Sequence, residues 1–218
     1  MSATEIFTRA AAQDAAPGWR YLVGQLHLST SWADFAAALD FVNQVGRLAE
    51  KQGHHPDVDL RYARVHLALS SHDVGGVTDR DIRLATAITQ LVEAGGASVH
   101  PERLTVVEIA IDTMDATQIR PFWRAILGDQ DSRSEDDTIT DPDGIGPSVW
   151  FQQLDQPRPV RNRIHLDVVV AHDEAERRLA AALAAGGRLV SDAAAPRFWI
   201  LADADGNEAC ICTWQNRD

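Results

Sequence analysis

The sequence has 218 residues, of which 45% are hydrophobic and 24% charged, and its formal net charge is −12. This composition is typical of a folded globular protein, and the length suffices for two domains of about 100 residues each. An acidic surface repels nucleic acid and anionic lipid, so neither is expected as a general partner. No apolar run reaches the roughly 18 residues that a membrane span needs.

The N-terminus and the cysteines indicate the compartment. Residues 1–18 lack a basic segment followed by an apolar one, so no secretion signal is expected. The two cysteines, Cys210 and Cys212, stand two apart in one predicted strand, where parallel side chains make poor disulfide geometry. A reduced, cytoplasmic protein is therefore predicted.

The first elements of the chain follow recognisable patterns. Residues 4–15 can form a short helix, and alternating apolar residues predict a strand over 19–28 that ends at Ser29–Ser31. A helix of about five turns follows, with Ser31 and Asp34 spaced as a capping pair and Gly53 as its stop.

A second strand and helix complete the first half. Residues 62–69 alternate, with the apolar set facing a core, and a helix is predicted over 79–93. Thr78 and Asp81 are spaced as its capping pair. The order of helices and strands predicts an α+β layer arrangement.

Three histidines flank the second strand. His54 and His55 follow Gly53 directly, and Pro56 forces His55 into an extended conformation, so the two adjacent rings should point in different directions. His72 follows the strand. Imidazoles near their ordinary pKa of about 6.5 both give and take protons at neutral pH, which suits proton-transfer catalysis. The alternative is that all three are surface residues with no joint role.

The second half begins after a small, polar break over 94–103, which is interpreted as a linker between domains 1–98 and 104–218. Strand–helix–strand patterns then occur twice between 104 and 214, which indicates a weak internal duplication. The acidic segment 129–143 is interpreted as a solvated loop, with cation binding as the alternative. Residues 203–207 are predicted to form a hairpin turn, although they faintly resemble a calcium loop.

The first half resembles pterin-4a-carbinolamine dehydratase over about residues 19–92. The resemblance is an ordered set without gaps, and it runs through Ala49-Glu50-Lys51, His54-His55-Pro56, Tyr62, Val65, His66, Leu69, Ser71-His72 and Asp79-Arg80-Asp81-Ile82. One departure is Val58, where the family often has an aromatic residue, and this change affects pocket packing or subunit contacts but not the histidines.

The resemblance implies loss of water from the 4a-carbinolamine of tetrahydropterin, giving quinonoid dihydropterin, with no metal or redox cofactor. It implies that His54 and His72 transfer protons and that His55 binds or orients the pterin; which histidine is the acid stays open. Asp81 would orient a histidine or the ring. The other implied pocket residues are Pro56, Ser71, Asp73 and Val74. His66 is interpreted as a packed or solvated strand residue.

The second half is similar to the glyoxalase-like, vicinal oxygen chelate superfamily, which pairs two βαβββ modules around a cupped sheet. The similar stretches are residues 122–128, 163–167 and 202–208. Many members hold a divalent metal, and Glu108, His165 and Glu208 are the possible ligands here. The slightly favoured alternative is that these are hydrogen-bonded strand residues in a metal-free cup for an unknown small molecule.

Three hypotheses follow. The first is a fused enzyme whose N-terminal domain is a 4a-hydroxytetrahydrobiopterin dehydratase, with a pterin substrate and, as the resemblance implies, a homo-oligomeric assembly. The second is a catalytically silent assembly module that carries a small-molecule cup. The third is a metal enzyme centred on the second half.

Overall fold

The computed structural model describes residues 5–128, 138–141, 143–157 and 164–216. The chain divides into two compact units, 1–106 and 107–218, and both combine helices with strands, so the predicted α+β class is confirmed. Within the described ranges, none of the helices is both long and apolar enough to cross a lipid bilayer.

The first unit is an antiparallel sheet covered by helices. Its elements are α1 (Arg9–Ala15), β1 (Arg20–Leu22), β2 (Gln25–Ser31), α2 (Phe35–Gln52), β3 (Asp57–Arg61), β4 (Arg64–Leu69), α3 (Asp79–Gly95) and β5 (Ser98–Val99). The strand order is β1-β2-β4-β3, and β5 also pairs with β2. Leucines from β2 and β4 pack with Phe41 of α2 and Ile88 of α3 in one buried core.

The strand predicted over 19–28 is instead a hairpin. β1 and β2 pair antiparallel, and Val23 and Gly24 form its two-residue turn with φ values of 43° and 85°. A two-residue loop preserves the alternating pattern, and valine is rarely found in such turns, so the alternation concealed the reversal despite Gly24. The predicted end at Ser29 is also wrong, because β2 pairs with β4 as far as Ser31.

The helix ends were predicted with mixed success. Gly53 ends α2 in the left-handed conformation, as expected, and Thr78 and Asp81 form the predicted capping box of α3. At the start of α2, however, Asp34 alone is the cap: its Oδ1 accepts the Ala37 N–H at 2.8 Å, while Ser31 remains in the sheet. A single acidic cap satisfies the first turn without a partner.

The segment predicted as a linker adds to the first unit. β5 pairs with β2 at Thr30 and Ser31, and the His100 N–H donates to the Ser29 carbonyl at 2.9 Å. A short 3-10 turn over Pro101–Arg103 follows. Backbone hydrogen bonds therefore hold part of the segment 94–103 against the sheet, although its composition alone indicates a flexible linker.

The second unit contains two modules of one kind. Its elements are β6 (Glu108–Thr113), α4 (Ala116–Leu127), β7 (Ser148–Gln153), β8 (Leu166–Val169), α5 (Ala175–Ala184), β9 (Arg188–Ser191), β10 (Phe198–Ala202) and β11 (Glu208–Cys212). The later module is a complete βαβββ unit with strand order β8-β11-β10-β9 and β8 parallel to β11. In the earlier module β6 is parallel to β7, and Ile139 bridges to Val149.

Two turns of the second unit bear on the cation alternatives. Residues 129–137 of the acidic segment lie outside the described residues; Asp141 accepts backbone N–H groups from Gly146 and Ile145, which lower the pKa of its carboxyl. The 203–207 turn is the predicted hairpin, in which the Asp203 carboxylate accepts from the Asn207 N–H at 2.8 Å and from Trp123 Nε1 at 2.9 Å. The Asp203 oxygens, which would face the ion in a calcium loop, thus accept hydrogen bonds from the protein instead.

Candidate functional site

His54 is held at the end of the longest helix by backbone geometry. Gly53 adopts φ 60°, which reverses the chain after α2, and the His54 N–H then donates to the Ala49 carbonyl at 3.2 Å. The ring is buried, and its Nε2 lies 2.7 Å from Oδ1 of the fully buried Asp81. The stop signal of α2 therefore also aims this imidazole into the protein.

Asp81 connects three separate segments. Its Oδ1 contacts His54, and its Oδ2 accepts from Ser71 Oγ at 2.7 Å and from the Thr78 N–H at 2.7 Å. The loop after α2, the turn after β4 and the start of α3 are thus joined at one carboxylate. Buried polar groups need such partners, because an unsatisfied carboxylate in the interior is costly.

This network fixes the tautomer of His54. An ionised carboxylate only accepts hydrogen bonds. The Nε2 atom of His54 therefore carries a hydrogen and donates a hydrogen bond to Asp81. The other ring nitrogen, Nδ1, takes no part in the contact with Asp81. The arrangement resembles the general pattern in which a buried acid orients a catalytic imidazole.

The turn after β4 carries the next group of predicted residues. Ser71 and Gly76 bridge its ends, and His72 and Asp73 are exposed within it, while Val74 is half-buried. Arg80 donates to Asp73 Oδ1 at 2.5 Å, and this hydrogen bond is the main reason that the pKa of the Asp73 carboxyl is lowered.

His55 has a different environment from its neighbour. Its Nε2 lies 3.2 Å from Glu50 Oε1, and both side chains are largely exposed, whereas Pro56 is half-buried. Of the predicted residues, hydrogen bonds join His54, Ser71 and Asp81. His55 and His72 lie at the surface of the adjoining segments, and no contact between their rings and His54 forms part of this network in the described structure.

Some members of the network were not predicted as site residues. Thr78 was assigned only a capping role, yet its backbone N–H and its hydroxyl both face Asp81. The sequence contained the information, because Thr78 was predicted to form a capping pair with Asp81 and must therefore lie beside that site carboxylate. Arg80 was quoted only as part of a motif, and its pairing with Asp73 depends on the fold of the turn.

A second histidine pair was also missed. Nδ1 of His27 on β2 and Nε2 of His66 on β4 share a hydrogen bond at 3.1 Å on the sheet. Burial, reinforced by His66, lowers the pKa of His27 to about 4, and burial also lowers the pKa of His66. His66 is thus a packed strand residue, as predicted, but its partner depends on the β2–β4 register.

The metal ligands implied by the glyoxalase resemblance do not fit this structure as a set. Glu108 is exposed on β6 and accepts from Ser148 Oγ at 3.3 Å, while Glu208 is half-buried on β11. Across the described part of the chain, the group of three that could hold an ion is His165, Asp167 and Cys210, with ligand atoms within 4.8 Å of one another. Of the expected set, it contains His165 alone.

The two cysteines are buried, and they form no disulfide bond with each other. Burial, together with the neighbouring Asp167 carboxylate, raises the pKa of the Cys210 thiol to about 12. A protonated thiol of this kind is unreactive towards oxidants and electrophiles near neutral pH.

Sequence comparisons match the two units of the chain to two different families. Residues 1–91 match the family Pterin 4 alpha carbinolamine dehydratase, and residues 108–212 match the family Glyoxalase-like domain. A protein of Acidobacterium capsulatum, provisionally named a pterin-4-alpha-carbinolamine dehydratase, is 47% identical over 76 residues, which cover 35% of this chain and 83% of the relative.

Solved structures with partial similarity to this chain include two from named bacteria. A transcriptional coactivator/pterin dehydratase from Brucella melitensis has 30% identity and a TM-score of 0.38, covering 40% of this chain and 98% of that one. A glyoxalase-related enzyme from Fulvimarina pelagi has 19% identity and a TM-score of 0.36, covering 51% of this chain and 88% of that one.

Proposed function

Because this chain belongs to the pterin-4a-carbinolamine dehydratase family and carries a glyoxalase-like domain behind it, we propose that its first unit dehydrates the 4a-carbinolamine of tetrahydropterins. The product is the quinonoid dihydropterin. The observation that carries the proposal is the buried His54–Asp81 contact of 2.7 Å. It supplies an oriented imidazole with one nitrogen left for proton transfer.

The reaction needs two proton transfers that balance. The C4a–O bond breaks as the departing hydroxyl receives a proton and leaves as water, and the N5 nitrogen loses its proton as the C4a–N5 double bond forms. No oxidation state changes overall, so acid–base catalysis by imidazole is sufficient chemistry. We assign one transfer to Nδ1 of His54 and the other to His72.

The remaining predicted residues bind and orient the substrate in this proposal. Exposed His55 and half-buried Pro56 and Val74 are assigned to the pterin-binding surface. Asp73, which Arg80 holds in its ionised form, is assigned to the polar edge of the pterin. Asp81 and Ser71 act as positioning residues, because their contacts lie behind the His54 ring.

Stopped-flow measurement of carbinolamine breakdown with the full chain tests this proposal. Wild type should exceed the spontaneous rate, and His54→Ala and His72→Ala should each lower the rate roughly 100-fold, as expected for loss of a general acid or base. His100→Ala, at a histidine paired with Glu102 outside the network, is the matched control. Equal rates for wild type, His54→Ala and His72→Ala would overturn the proposal.

A folding defect in His54→Ala would not obscure the result. His72 is exposed, so its substitution should leave the fold intact and report on the chemistry alone. A wild-type rate no faster than the spontaneous reaction would instead favour the silent assembly role.

We further propose that the protein forms a homo-oligomer through α2. Phe35 and Leu39 stand one turn apart on this helix and are 48% and 40% exposed, and exposed apolar pairs of this kind favour burial between subunits. Light scattering should show a smaller mass for the double variant Phe35→Asp, Leu39→Asp than for wild type. A monomeric wild type would contradict this proposal.

A further inference from the structure

Three side chains of types that commonly bind metal ions lie on one side of two neighbouring strands in the second unit. β8 and β11 run parallel, and Cys210 pairs directly with Asp167. His165 precedes Asp167 by two residues, so both point to the same side of the sheet. The alternate residues of these strands enter the core instead, and they are Leu166, Val168, Ala209 and Ile211.

The ligand atoms of this cluster lie close enough together for a small divalent ion to bind between them after a small shift. Zinc binds nitrogen, oxygen and sulfur at about 2.0–2.3 Å, so neighbouring ligand atoms in a tetrahedral site lie about 3.3–3.7 Å apart. His165 Nε2 and Asp167 Oδ1 are already 3.3 Å apart. Cys210 Sγ lies within 4.8 Å of both, so a shift of about 1 Å at most completes the set.

The chemistry of the donors selects the kind of ion. The ion would displace the proton of the Cys210 thiol. The resulting set of an imidazole, a carboxylate and a thiolate favours zinc-like, borderline metals over magnesium or calcium, which prefer oxygen alone. Cys210 is 6% exposed, whereas the side chains of His165 and Asp167 are about half exposed. One buried and two accessible ligands leave an outward side for a fourth ligand from solvent or a small molecule.

We propose that His165, Asp167 and Cys210 bind one zinc-type divalent ion on the sheet of the glyoxalase-like unit. The site uses Asp167 and Cys210 in place of the two glutamates that the family resemblance implies. Its residues are separate from those of the dehydratase proposal, so either can fail without the other.

Cobalt(II) titration of the full chain, after dialysis against a chelator and then buffer, tests this site. Cobalt(II) reports a bound thiolate by a charge-transfer absorption, and zinc should displace it at one equivalent per chain. Magnesium should not displace it. Cys210→Ser should abolish the absorption, and His165→Gln should weaken binding by roughly tenfold or more, since even loss of an outer partner costs that much.

Two matched variants make the assignment specific. Cys212→Ser removes the other buried thiol of β11 and should leave the absorption unchanged. Glu208→Gln removes the family-implied carboxylate on the same strand and should also leave it unchanged. His165 is exposed, so His165→Gln reports on binding even if Cys210→Ser misfolds.

Three results would overturn the proposal. The first is wild type that takes up no cobalt or zinc. The second is thiolate absorption that persists in Cys210→Ser, and the third is binding that is lost in Glu208→Gln but kept in both Cys210→Ser and His165→Gln.

Discussion

Asp81 accepts hydrogen bonds on both carboxylate oxygens, and we predict that it cannot be replaced by its amide. In Asp81→Asn, one side of the group becomes an N–H donor that must face either His54 or the donors Ser71 and Thr78. We expect a loss of about 2–4 kcal/mol in the free energy of unfolding. Urea denaturation followed by circular dichroism measures it.

Asp79→Asn is the matched control for this change. Asp79 lies in the same first turn of α3, but it is 39% exposed and pairs with Arg83 at the surface. A loss within about 1 kcal/mol is expected for such a residue. Similar losses in both variants would show that the helix terminus, not the buried network, determines the effect.

His27 predicts a pH dependence of stability. Because its pKa in the folded protein is about 4, below the ordinary 6.5, the unfolded chain binds more protons between these values. The contribution of His27 to the free energy of unfolding is complete above pH 6.5. Roughly 3 kcal/mol of it is lost in total as the pH falls towards 4. Urea midpoints of the first unit between pH 7 and 4 measure this loss.

His27→Gln should make that pH profile shallower, because the imidazole with the pKa of about 4 is gone while His66, whose pKa burial also lowers, remains. His55→Gln, at an exposed position of the same unit, should keep the wild-type profile. If both variants lose stability with acid as wild type does, other groups are responsible for the pH dependence.

The β1–β2 hairpin contains a correctable turn. Val23 adopts φ 43° and is 56% exposed, so it bears left-handed strain without burying its side chain. Val23→Asn should raise the free energy of unfolding by about 1 kcal/mol, because Asn-Gly suits a two-residue turn with both φ values positive. Thermal unfolding measures the gain, and Gly24→Ala, with φ 85° at the next position, should lower stability instead.

Helices were predicted better than hairpins because their signals are local. Gly53 and the Thr78–Asp81 capping box each lie within a few residues of the helix end that they determine. The turns at Val23 and Tyr62, both with positive φ, involve residues that favour strands. The alternation over 19–28 therefore continued through the reversal at Val23 and concealed it, whereas the strand predicted over 62–69 started at the Tyr62 turn and left β3 unpredicted.

The site residues divide by the same rule. His54 and Asp81 were identified through an ordered motif, and the capping box already predicted where Asp81 begins its helix. The His27–His66 contact and the Asp167–Cys210 pair both depend on strand register between residues about 40 apart. No local pattern fixes that register, because it is set by packing of whole strands against their helices.

The division of the chain into two units predicts independent folding of the first. Fragment 1–106 should unfold cooperatively and keep the dehydratase rate of the full chain. Fragment 1–97 loses β5 and the hydrogen bonds of His100 and Arg103 to β2, so its free energy of unfolding should be lower by about 1–3 kcal/mol. Equal stability of the two fragments, measured by urea denaturation, would contradict the role of this edge.

The shared use of Asp81 affects how silent members of such a family are recognised. A catalytically inactive copy would still be expected to retain this acid, since its hydrogen bonds join α3 to the two neighbouring loops. Retention of the acid therefore carries no information about turnover. The informative positions are those at which a substitution leaves the fold intact, above all the exposed His72.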